Sequence, residues 1–137
     1  MMTTKFTIAY WCVLIAALLP IVCAGIAKWG LMTKSPKAGG FDNNNPRQWL
    51  AGQKDWRARA NSAQQNSFEA LPFFIGAVVI AHQLGAPQMR LDILAFAFIF
   101  ARMLYILMYV ADMASVRSAV WFLGFLLNVA ILFSGYH

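Results

Sequence analysis

Apolar residues fall into four blocks along the chain, parted by two short polar stretches and one long one. The first block, about 6–27, holds no charged residue. The second is harder to delimit. Its uninterrupted apolar part, 70–81, is too short for a bilayer crossing, which takes about 20 residues. Counting back about 20 residues from Leu84, which precedes the turn signal Gly85-Ala86-Pro87, brings the start to Gln65 and predicts a span over 65–84. That helix must carry Asn66 and Glu69 to the membrane boundary or inside it. The third block, about 91–111, has Arg102 near its centre, and the fourth, about 116–133, has Asn128 as its strongly polar interior residue. The pattern predicts an all-α integral membrane four-helix bundle in a single domain, with no strand period.

The long polar stretch, about 28–56, contains the turn signals Gly39-Gly40 and Asn45-Pro46, so it reads as a loop with short helical pieces. It carries Lys28, Lys34, Lys37, Arg47 and Lys54 against Asp42 and Asp55. Such an excess marks a cytoplasmic loop. Four crossings then put both termini outside, the turn with Arg90 outside, and the turn over 112–117 inside. The first apolar block exceeds the 7–15-residue core of a signal peptide, which favours a retained helix. A bacterial inner membrane is the expected location.

Composition agrees: 61% of the 137 residues are hydrophobic and 12% charged. The net charge of +6 comes from residues flanking apolar blocks rather than from a basic-aromatic surface, which argues against nucleic acid as a partner. Cys12 and Cys23 sit eleven residues apart in one helical block, a rise of about 16 Å, too far to bridge each other. With His82 and His137 as the two histidines and no ligand spacing among Cys, His and carboxylates, no metal site is expected.

The polar residues inside the blocks have an order. Arg59, Ser62, Asn66 and Glu69 stand at i, i+3, i+7 and i+10, on one helical face. Arg102, Tyr105 and Tyr109 share a face of the third helix, and Arg117-Ser118 open the fourth at its cytoplasmic end. An arginine at a helix centre costs about 2.5–3.5 kcal/mol on the insertion scale, so Arg102 requires a partner. Glu69 is the expected one, in the same or a neighbouring subunit, with a backbone height difference of about 6 Å for the arginine side chain to span. His82, Trp121 and Asn128 read as packing or interfacial groups. Arginine forks match carboxylates, Glu69 suits an ammonium and Asn66 a peptide amide. A small zwitterionic peptide fits that inventory, with an apolar second substrate arriving from the lipid.

At these residues the chain resembles the MAPEG family, the membrane-associated proteins of eicosanoid and glutathione metabolism. Residues 57–72 resemble the family's RA…N-x-x-E…P segment, Asn45-Pro46-Arg47 a loop tripeptide of bacterial members, and Arg102, Tyr105, Tyr109, Arg117 and Ser118 its third- and fourth-helix signature. The resemblance implies a homotrimer binding glutathione as co-substrate between neighbouring subunits. Arg59, Asn66, Glu69, Arg102, Tyr105 and Tyr109 would form the glutathione site, and Arg117 and Ser118 would act at the sulfur. Ser62 stands where the family often has arginine, and Arg59, one turn earlier, is the candidate substitute. The implied activity is transfer of the glutathione thiolate to lipophilic electrophiles or reduction of lipid hydroperoxides. The alternative is a non-catalytic membrane protein, a small transporter or a binding or scaffold subunit, on the same fold.

Overall fold

The computed structural model describes residues 5–137 and is helical throughout its ordered elements. The helices are α1 (Ile8–Ala27), α2 (Pro46–Ala51), α3 (Asp55–Gln83), α4 (Gln88–Val110) and α5 (Ala114–Leu132), with a 3₁₀ turn at Pro36–Ala38. Three of the expected spans, 6–27, 91–111 and 116–133, coincide with α1, α4 and α5 to within three residues at either end. These three are long and apolar enough to cross a membrane. The helix holding the second block, α3, is 29 residues long and begins well before 65. Its first half, with Arg57, Arg59, Asn61, Gln64 and Gln65, is polar, and that half keeps α3 out of the set that hydropathy alone identifies.

Antiparallel packing follows from ties at the helix ends. Arg57 Nη1 donates to the carbonyl of Ala27 at 2.9 Å, joining the start of α3 to the end of α1. Arg59 Nε donates to the carbonyl of Val110 at 3.1 Å, joining the same end of α3 to the end of α4. At the opposite end the backbone amide of Ala9 donates to Asp92 Oδ1 at 2.9 Å, so α1 and α4 start side by side. Thr7 caps α1 by accepting from the amide of Tyr10 at 3.2 Å. Gly135, beyond α5, lies against Leu84 and Ala81, where an added Cβ would stand 2.7 Å from Leu84 Cβ.

Small residues let these helices approach closely. Ala9, Cys12 and Ala16 of α1 meet Ala77 and Ala81 of α3 and Ala95 of α4 in one buried cluster, filled by Phe74, Val78, Leu91, Phe98 and Ile131. Phe74 and Phe98 stack at 4.4 Å between centroids. Both cysteines are buried and free, as their spacing requires. A second cluster around Leu19, Ala63, Ala101, Ile106 and Val120 lies toward the loop end, where Tyr105 joins it. The outward faces are apolar as well: Trp11, Leu18 and Ile21 on α1, Phe96, Phe100 and Leu107 on α4, and Phe122 and Leu126 on α5 are exposed. A water-soluble chain does not show apolar surface on this scale.

Between α1 and α3 the loop is ordered by its own bonds. The amide of Phe41 donates to the carbonyl of Leu31 and that of Gly40 to Ser35, both at 2.9 Å. Lys28 sits over the Phe41 ring at 4.1 Å, and Phe41 packs edge-on against Trp49 of α2. The loop lysines therefore gather at the end of the molecule where α3 and α5 begin.

Candidate functional site

Two adjoining cavities lie between α3, α4 and α5. The one nearer the loop, about 260 Å³, is lined by Asn66, Tyr105, Tyr109, Arg117, Ser118 and Trp121. The deeper one, about 250 Å³, is lined by Asn66, Glu69, Arg102, Asn128 and the apolar walls Phe73, Phe98, Trp121 and Phe125. Asn66 and Trp121 belong to both, so the two form one channel running along α5.

Helical spacing explains this convergence. On α4, Arg102, Tyr105 and Tyr109 face the same side at i, i+3 and i+7. On α5, Arg117, Trp121, Gly124 and Asn128 stand at i, i+4, i+7 and i+11, another single stripe. The two arginines flank the pair of phenols. The Arg102 guanidinium lies 4.2 Å from the Tyr105 centroid, Tyr105 and Tyr109 meet edge to face at 5.7 Å, and the Arg117 guanidinium lies 4.4 Å from the Tyr109 centroid. Each ring thus offers its negative face to a cation, a contact worth more when desolvated.

Of the eight site residues expected from sequence, seven line this channel: Asn66, Glu69, Arg102, Tyr105, Tyr109, Arg117 and Ser118. Arg59 does not. Its guanidinium is turned to the carbonyl at the end of α4, one of the carbonyls a helix terminus leaves without an internal partner.

Within the chain, the expected Glu69–Arg102 ion pair is replaced by other contacts of the guanidinium. No ion pair between them forms among the described residues; instead Arg102, 4% exposed, donates from Nη2 to Ser67 Oγ at 3.3 Å and stacks on Tyr105. The reason is rotational. Ser67 faces α4, and two residues further on the helix has turned about 200°, which leaves Glu69 exposed on the surface of the chain, at the rim of the deeper cavity. Glu69 also borders a separate cleft of about 660 Å³ lined by Arg47, Asn61, Gln64, Gln65 and Phe68.

Two residues read from sequence as packing groups stand in the channel. Trp121 forms the wall common to both cavities and stacks on Phe125 at 5.7 Å with an interplanar angle of 11°. Asn128, 3% exposed, closes the deep end. Their spacing from Arg117 was the available signal. The third such residue, His82, lies instead against Tyr10 near the opposite end, at 5.1 Å between ring centroids.

Buried acceptors in this channel lack partners. Asn66 Oδ1 and Asn128 Oδ1 are both shielded and make no hydrogen bond. Buried polar atoms are nearly always paired, so these two oxygens, shut off from the cavities their residues line, are costly exceptions.

This arrangement defines a helical membrane protein with a cation-flanked polar channel between three of its helices. The chain belongs to the MAPEG family, whose family model matches residues 8–136. No curated protein and no solved structure matches it significantly.

Proposed function

We propose that this protein is a glutathione-dependent membrane enzyme that joins the glutathione sulfur to lipophilic electrophiles or reduces lipid hydroperoxides. The observation that carries this reading is the cavity beside the loop. Arg117, Ser118 and two tyrosine hydroxyls line it, and no carboxylate does. A thiol titrates near about 8.5 in water and is mostly protonated at neutral pH. A guanidinium fixed beside the sulfur, away from bulk water, favours the thiolate, which is the nucleophile. In this reading Arg117 stabilises the sulfur, Ser118 donates a hydrogen bond to it, and Tyr105 and Tyr109 line the peptide. Asn66, which lines both cavities, contacts a glutathione amide, while Glu69 holds the ammonium and Arg102 a carboxylate.

In the same reading α3 is a fourth crossing, the lysine-rich loop faces the cytoplasm, and both termini face outward. Subunits assemble as homotrimers. The exposure of Glu69 and Gln65 beside the apolar part of α3 supports assembly, since a carboxylate facing lipid is costly and a neighbouring copy relieves it. The cytoplasm supplies glutathione, and the bilayer concentrates the apolar partner.

The test is the absorbance of bound thiolate near the far-ultraviolet edge when glutathione is added to detergent-solubilised protein, read beside turnover of a dinitrohalobenzene. Arg117→Ala is expected to remove the thiolate signal and to lower turnover by roughly 100-fold, the scale of one lost electrostatic contact to a developing charge. If wild-type protein gives neither signal nor turnover at millimolar glutathione, the non-catalytic alternative is correct.

A further inference from the structure

The chain leaves α1 at the edge of the bilayer. The helix has 20 residues and is about 30 Å long, the thickness of the hydrocarbon core. Residues that follow Ala27 therefore emerge at headgroup depth. Two of them are large, apolar and open: Trp29 is 75% exposed and Met32 60%. Such side chains are unfavourable in water, whereas tryptophan is enriched at the membrane interface, where its ring is partly dehydrated. Seating both there lays the segment along the bilayer surface.

Lys34 and Lys37 belong to the same segment. Both are exposed, and neither has a hydrogen-bond or ion-pair partner among the described residues. No carboxylate stands between Lys28 and Phe41. The next acid, Asp42, is taken up by its own turn, accepting from the amide of Asn44 at 3.0 Å and from Asn45 Nδ2 at 3.4 Å. Lys28 is engaged over the Phe41 ring. The segment is also held in shape. The bonds from Phe41 to Leu31 and from Gly40 to Ser35 close it, and Gly40 lies so near the backbone of Lys34 that a Cβ would not fit between them. Lys34 and Lys37 are three residues apart, at most about 11 Å, so their ammonium groups reach one headgroup or two adjacent ones.

We propose that residues 29–37 form a binding site for an anionic phospholipid, with Trp29 and Met32 seated in the interface and Lys34 and Lys37 on the phosphate. The site is independent of the glutathione reading and of which leaflet the loop faces. A lysine at an anionic membrane surface contributes about fivefold in affinity, so the pair is expected to prefer an anionic lipid over a zwitterionic one by roughly 30-fold.

The test places the full chain in vesicles of equal parts dioleoyl phosphatidylglycerol and dioleoyl phosphatidylcholine, with the chains of one lipid or the other brominated. Bromine quenches nearby tryptophan, and the Trp29 share of the emission is the difference between wild type and Trp29→Phe. In wild-type protein, brominated phosphatidylglycerol is expected to account for nearly all quenching of Trp29. In Lys34→Gln/Lys37→Gln the two lipids should quench it about equally. Arg47→Gln/Lys54→Gln removes the same charge elsewhere in the loop and is expected to keep the preference. Equal quenching by the two lipids in wild-type protein overturns the inference, and so does a Trp29 that neither lipid quenches. A preference that survives the loss of Lys34 and Lys37 overturns it too. One lost equally with Arg47 and Lys54 assigns the enrichment to overall charge, and the site is then wrong.

Discussion

Replacing Asp92 with alanine tests whether the end of the molecule opposite the loop is held by one carboxylate. Asp92 Oδ1 accepts from the amide of Ala9 at 2.9 Å and from Gln88 Nε2 at 2.7 Å. Ala9 lies in the first turn of α1, where an amide has no partner inside its own helix. It is fully buried, so water cannot replace the lost acceptor without local opening. A hydrogen bond to a charged group contributes about 1.5–3 kcal/mol. A negative charge at a helix start adds about 0.3–1 kcal/mol. Asp92→Ala is thus expected to destabilise the fold by about 2–4 kcal/mol. Asp92→Asn keeps an acceptor oxygen and loses the charge, and should cost about half as much. The assay is loss of helicity in detergent on titration with dodecyl sulfate. If the alanine variant unfolds within about 0.5 kcal/mol of wild type, or if asparagine is as harmful as alanine, the reasoning fails.

Gly135→Ala would push a Cβ to 2.7 Å from Leu84 Cβ and 3.2 Å from the Ala81 carbonyl oxygen. Such overpacking against backbone is expected to cost about 1–3 kcal/mol in the same titration. Ser67→Ala removes the hydroxyl that accepts from Arg102, and the 3.3 Å separation places the expected loss near the low end for a charged donor, about 1.5 kcal/mol. Equal stability of that variant and wild type would mean that the Tyr105 ring alone holds the guanidinium.

Three of the spans were legible because apolar block length and Gly/Pro punctuation decide where a membrane helix stops. Most of the site was legible because polar residues at i, i+3 and i+7 share a face whatever the neighbouring helices do. Rotation and pairing were not. Which of Ser67 and Glu69 meets Arg102 depends on how α3 is turned against α4, and small residues such as Ala63 and Ala101 set that angle. Arg59 and Asp92 were hidden for a related reason. Both bond to backbone groups that helix ends expose, and such partners carry no side-chain signature. Asn128 and Trp121 differ, since their stripe with Arg117 could be counted from the chain. They were passed over because a lone aromatic or amide in an apolar helix is usually packing.

The low hydropathy of α3 and the exposure of Glu69 are one fact seen from two sides. A helix whose first half carries Arg57, Arg59, Asn61, Gln64 and Gln65 is unstable against hydrocarbon, and Arg57 and Arg59 are already satisfied by carbonyls of α1 and α4. Asn61, Gln64 and Gln65 line the cleft that also borders Glu69. The single chain leaves this polar strip uncovered while the outward faces of α1, α4 and α5 are apolar. In the proposed assembly, a neighbouring copy over the strip would lower the cost of inserting α3 and cover the rim of the channel at Glu69. In the proposed enzyme, assembly and catalysis therefore depend on the same residues. A variant that made α3 a better solitary membrane helix, such as Glu69→Leu, would weaken both the glutathione site and the reason for the subunits to meet.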